Sequence, residues 1–172
     1  MWQYNENHTH SVHFENVTFQ NNEKFESVIA GHFAHVHIIS SLFINNQCPH
    51  GVLALTGMEK QLMIFNNQFL SNEAPFVVLF DMESQSEILG QVLAYFVRNR
   101  VRGNRIHESL RNAAKILNNA TYQPMSFAIG LKGHQKVNVT KNLLGGNDQD
   151  YELLAGIKTA KIDNFVNVIE NW

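Results

Sequence analysis

The chain has 172 residues, with 13 Lys and Arg against 15 Asp and Glu and a formal net charge of −2 with histidine neutral. Apolar residues make up 44%, enough for a sizeable core in one domain. This balance argues against a nucleic-acid footprint; no stretch reaches the roughly 18 apolar residues of a spanning helix, and a single cysteine, Cys48, excludes an internal disulfide.

Residues 1 to 11 are polar and rich in histidine, without the basic and apolar regions of a signal peptide. A repeat begins at Val12. Five copies align on a bulky apolar residue, here position zero: Phe19, Phe43, Phe69, Val101 and Leu144. Seven residues earlier stand Val12, Val36, Leu62, Ala94 and Val137, and five earlier stand Phe14, Ile38, Ile64, Phe96 and Val139. Three residues later stand Asn22, Asn46, Asn72, Asn104 and Asn147, asparagine in all five. Two residues earlier, Asn67, Asn99 and Asn142 match, while the first two copies have Val17 and Ser41. A sixth copy begins at Val166, Val168 and Asn171.

The copies are spaced by 24, 26, 32 and 43 residues. The first two spacings suit one turn of a parallel β-helix, and the longer ones require insertions at loops. Such a turn cannot bury its apolar residues alone; stacking at roughly 4.8 Å makes the core continuous. The expected core is Val12, Phe14, Phe19, Val36, Ile38, Phe43, Leu62, Ile64, Phe69, Phe96, Val101, Val137, Val139 and Leu144. Asparagine is abundant, 21 in all, so its mere frequency is the bland explanation. Agreement of apolar and asparagine columns across five copies argues for a ladder of stacked amides. Those amides would also bond backbone at bends and tolerate left-handed geometry.

The expected fold is therefore all-β: a right-handed parallel β-helix, one domain over 1–172 and an internal piece of a longer solenoid. Its handedness follows the rule for parallel crossovers. Second strands are expected at Ser27 to Ala30, Val52 to Leu55, Phe76 to Phe80 and Met125 to Ile129. Cys48 and Pro49 fall in a loop. Asp81 to Gly90 reads as a polar insertion. In residues 105 to 118, Ile106, Leu110, Ala113, Ala114 and Leu117 recur at helical spacing, so a short helical insertion is expected there. Gly145 and Gly146 lack the lysine of a phosphate loop and serve backbone geometry.

Four sequons, at Asn7, Asn16, Asn119 and Asn138, favour a secreted or ectodomain chain. Asn138 lies between two inward residues and is expected to face solvent.

The closing run Val166-Asn167-Val168-Ile169-Glu170-Asn171-Trp172, with the asparagine-rich turns and sequons, resembles the β-helical region of the bark beetle (Anakonda) family. Those are large transmembrane proteins of epithelial tricellular junctions in insects. The resemblance covers the whole chain loosely and the last seven residues most specifically. The family also carries scavenger-receptor-type cysteine-rich domains and a membrane span, which these residues lack. What the resemblance implies is an extracellular segment of a membrane-anchored or secreted protein. Its role would be cell adhesion or the assembly of tricellular or septate junctions. Its partners would be other domains of the same large protein and junction proteins on the same or neighbouring cells, with no nucleic acid. No enzyme activity, catalytic residue, cofactor or metal is implied.

The rival reading is a polysaccharide-active β-helix, a hydrolase or lyase. Glu23, Glu73 and Asp148 share the column four after position zero, with Gln47 and Arg105 between them. Glu23 and Glu73 would lie two coils apart, about 9.6 Å, near the inverting separation of two carboxylates. That column is expected to face solvent, where charges are ordinary. Asp148, Asp150 and Glu152 are alternate acids that suit a solvated loop better than Ca²⁺. His13 and His37 share an outward column on adjacent coils, beside further histidines at His8, His10, His32 and His35. Two register-placed ligands fall short of the three or four that zinc needs. A surface histidine ladder, responsive near about pH 6 to 7, is the simpler expectation.

Overall fold

The computed structural model describes residues 11–32, 35–56, 61–82, 94–106, 126–133, 136–145, 151–157 and 165–169. The first coil holds β1 (Ser11–Glu15), β2 (Thr18–Gln20) and β3 (Ile29–His32). The second holds β4 (His35–Ile39), β5 (Leu42–Ile44) and β6 (Leu53–Thr56). The third holds β7 (Gln61–Phe65), β8 (Gln68–Leu70) and β9 (Phe76–Met82). The fourth holds β10 (Ala94–Val97), β11 (Arg100–Arg102) and β12 (Ser126–Gly133). The fifth holds β13 (Lys136–Thr140), β14 (Leu143–Gly145) and β15 (Tyr151–Ile157), and β16 (Phe165–Ile169) opens a sixth.

First strands pair with first strands, second with second and third with third, every pair parallel. Three sheets therefore run along the stack, in the manner of a parallel β-helix. Register follows the repeat columns. Val12, Val36, Leu62, Ala94, Val137 and Val166 are successive partners in the first sheet. Phe19, Phe43, Phe69, Val101 and Leu144 are successive partners in the second.

Position zero points inward and is the centre of its own three-residue strand, so each coil has one strand more than expected. A strand that short carries one inward side chain, so no alternation marks it in sequence. β9 begins at Phe76 as expected, while other third-sheet strands are shifted, with Ile29–His32 and Ser126–Gly133 in place of Ser27 to Ala30 and Met125 to Ile129.

Alternation sorts the first-sheet strands into inward and outward residues. Val36, Ile38, Leu62, Ile64, Phe96 and Val139 are fully buried, as are Phe43, Phe69 and Val101 in the second sheet. Val12, Phe14, Phe19 and Leu144 are only partly buried. Among the described residues the first coil has a neighbour on one side only, which explains the first three. Phe19, Phe43 and Phe69 stack with centroids 4.8 and 4.9 Å apart and planes 12° from parallel. The stack steps across to Phe96, 6.1 Å from Phe69, where position zero becomes Val101.

Corners between strands turn through single left-handed residues. One column is Asn16, Ser40, Asn66, Arg98 and Lys141; the other is Asn21, Asn45, Ser71 and Gly103. All of them but Asn16, which precedes Val17, stand immediately before a residue of one of the two side-chain columns described below. Among the described residues the left-handed position is the one before each repeat asparagine, and the side chains of Asn46, Asn72 and Asn104 are buried.

Cys48 lies in the loop between β5 and β6, as expected, and is fully buried in the core. Burial pushes its thiol up from 9.0 to about 11, against a smaller lowering by the Val28 backbone. The folded value lies above the unfolded one. Stability from the neutral thiol is therefore complete below the unfolded value and lost as pH rises through the window toward 11. The expected loss is about 2 kcal/mol, read by denaturant unfolding at about pH 8 and about pH 10.5. Cys48→Ala should remove that share of the pH dependence.

Among the described residues there is no helix. Of the helix expected over 105 to 118, Arg105 makes a parallel bridge to Glu73 and Ile106 is buried. The rest of it lies outside the described residues, as do Gly146 and residues 83 to 90 of the polar insertion.

Candidate functional site

The most organised polar feature of the chain is a pair of buried side-chain columns at two of its corners. The first contains Asn22, Asn46, Asn72 and Asn104; Asn147 lies outside the described residues. At Asn72 all four bonding positions of the amide are used. Its Oδ1 accepts from Asn46 N–H at 3.1 Å and Asn46 Nδ2 at 2.9 Å. Its Nδ2 donates to the Phe43 carbonyl at 3.0 Å and to Asn104 Oδ1 at 3.0 Å. Asn46 repeats the pattern, accepting from Asn22 N–H and Nδ2 and donating to the Phe19 carbonyl.

The second column is Ser41, Asn67, Asn99 and Asn142, two residues before position zero. Asn99 Oδ1 accepts from Asn67 N–H at 2.9 Å, and Asn142 Oδ1 from Asn99 N–H at 2.8 Å. The Nδ2 groups of Asn67, Asn99 and Asn142 donate to the carbonyls of Ile38, Ile64 and Phe96. In sequence this column is visible only as a partial match, because Val17 and Ser41 break it. Ser41 Oγ nevertheless takes the amide's acceptor role from Val17 N–H at 3.2 Å, while donating to the Ile39 carbonyl. A hydroxyl at a fixed register position is the signal that marks it. Asn46, Asn67, Asn72, Asn99, Asn104 and Asn142 are at most 1% exposed. Burial makes each bond costly to lose, because the freed partners cannot turn to water.

The acidic column is less uniform than expected. Glu23 is exposed, as are Gln47 and Arg105, but Glu73 is only 9% exposed. Gln47, Glu73 and Arg105 are joined by parallel backbone bridges, and Arg105 Nη2 lies 3.0 Å from Glu73 Oε2. The carboxylate that would form half of a hydrolytic pair is thus tied to the next coil by a cation. Asp148 and Asp150 lie outside the described residues, and Glu152 sits in β15.

His13 and His37 are register partners on β1 and β4, their rings 6.0 Å apart at 70°. Glu15 Oε2 lies 3.5 Å from His13 Nε2, an ion pair only when the histidine is protonated. The column continues into Met63 and Tyr95 rather than further histidines. Among the described residues no group of three or more His, Cys, Asp or Glu side chains is placed to hold a metal ion. His8 and His10 lie outside them.

Of the sequons, Asn16 is exposed at a corner. Asn138, expected to face solvent, is half-buried in mid-strand, and its Oδ1 is shielded without a hydrogen-bond partner. Its neighbours across the sheet, Tyr95 and Asn167, flank it on both sides. Asn7 and Asn119 lie outside the described residues. No described helix is long and apolar enough to cross a membrane.

No family model and no solved structure matches the chain. It is 40% identical, over 179 aligned positions, to the Drosophila melanogaster protein named Protein bark beetle. The match takes in 100% of this chain and 6% of that much longer relative. With 40% identity over its whole length, the chain belongs to the bark beetle family.

Proposed function

We propose that the chain is a non-catalytic extracellular segment serving cell adhesion or junction assembly in epithelia. The observation that carries this reading is the end-to-end kinship with Protein bark beetle. The physical character of the segment supports it. Its two buried asparagine columns are bonded from coil to coil, which suits a stiff scaffold presenting lateral faces to other domains and to junction proteins.

The test is the position of the full-length protein in an epithelium, using an antibody raised against this segment. The expected signal is concentrated at the corners where three cells meet, and accessible without permeabilising the cells. A diffuse secreted signal, or one confined to the cell interior, would sink the proposal.

A further inference from the structure

We infer that Asn16 carries an N-linked glycan, and that the corner between the first and second sheets is therefore a sugar-covered edge rather than a protein-docking face. The inference rests on the extracellular reading above. Asn16, Val17 and Thr18 form an acceptor sequon. Asn16 occupies the left-handed corner between β1 and β2, with φ 56°, and both Asn16 and Thr18 are exposed. Its backbone is fixed by donation from its N–H to the Ile39 carbonyl at 3.1 Å. The side chain stands outside both asparagine columns, so sugar on Nδ2 removes no bond from either.

Neighbouring asparagines show why position matters. Asn22 has its Nδ2 engaged with Asn46 Oδ1 at 2.7 Å. Asn66, on the same corner two coils along, donates from Nδ2 to Ser40 Oγ at 3.1 Å. Asn138 is a sequon too, but it is half-buried in mid-sheet with its carbonyl oxygen shielded. Attachment at Asn16 forms a bond from Nδ2 to the anomeric carbon of a lipid-pyrophosphate-linked oligosaccharide. That carbon's bond to the pyrophosphate breaks, the lipid pyrophosphate leaves with the electron pair, and the amide gives up one proton.

The corner continues from Asn16 through Ser40, Asn66, Arg98 and Lys141. A glycan at its first described position would screen the adjacent coils on that edge.

The experiment uses the full-length protein purified from the cells that make it. Peptides are released with a glycosidase that converts glycosylated Asn to Asp in heavy-oxygen water, and the Asn16 peptide is read by mass spectrometry. The expected result is the labelled conversion at Asn16, lost in a full-length Thr18→Val variant that keeps its other labelled sites. An unmodified Asn16 peptide beside labelled sequons elsewhere would overturn the assignment and leave the extracellular reading standing. Label at Asn16 that persists in Thr18→Val would also overturn it. A protein without a glycan at any sequon would remove both readings together.

Discussion

Asn72→Ala is expected to destabilise the solenoid by about 3–5 kcal/mol, near the upper end for a single substitution. The side chain is small, so lost packing explains little of this. The cost comes from what is left behind. Asn46 N–H and one Asn46 Nδ2 hydrogen lose their acceptor, and the Phe43 carbonyl and Asn104 Oδ1 each lose a donor. All of these groups lie in the interior, where water cannot replace the bond. Asn72→Asp separates this explanation from simple packing loss. It keeps the shape but turns an acceptor toward the Phe43 carbonyl and Asn104 Oδ1, and it buries a charge. Burial and the two facing oxygens should raise its folded pKa above the unfolded value of about 3.9. The penalty is then largest above the folded value and is relieved as pH falls through it. Denaturant unfolding at neutral and mildly acid pH checks both variants. A loss under about 1 kcal/mol for Asn72→Ala, or no acid recovery for Asn72→Asp, would contradict the assignment.

Phe69→Ala is expected to cost about 3–5 kcal/mol. Phe69 is fully buried and stacks on Phe43 at 4.9 Å, with the Phe96 ring centroid 6.1 Å away. Truncation leaves a void that neighbouring coils cannot close, because the main-chain pairing on both sides fixes their separation. Phe19→Ala removes the same atoms from a partly exposed site and should cost less than half as much. Phe69→Leu should fall between the two. Equal losses at Phe19 and Phe69 would show that the void, and with it the rigidity of the stack, has been overestimated.

The stacking register is legible in the repeat columns alone. Val12 to Val137 and Phe19 to Leu144 pair in the register their spacing implies, because parallel stacking aligns equivalent residues directly. The second sheet is hidden in sequence because its strands carry one inward residue each. The second side-chain column is half hidden because Ser41 fills its role with different chemistry. The left-handed corners are illegible for a related reason. Asn, Ser, Lys, Arg and Gly all occupy them, so no residue type marks the position. Glu73 looks like a surface charge from its column, yet it is nearly buried and paired with Arg105 on the following coil. That pairing depends on coil neighbours rather than on local sequence. The kinship suggested by the final seven residues is legible only as a resemblance, and comparison of the whole chain supplies the rest.

The coils differ widely in the residues they consume, 24, 26, 32 and 43 between successive positions zero, yet each advances the stack by one strand spacing. Reach is therefore counted in coils and not in amino acids. From β1 to β16 the first sheet spans five steps, about 24 Å at the spacing of paired strands. An insertion at a corner changes what the surface displays without changing where the next coil sits. A protein built this way can diversify its edges freely while the distance between its two ends is held to the count of its turns, like the rungs of a ruler.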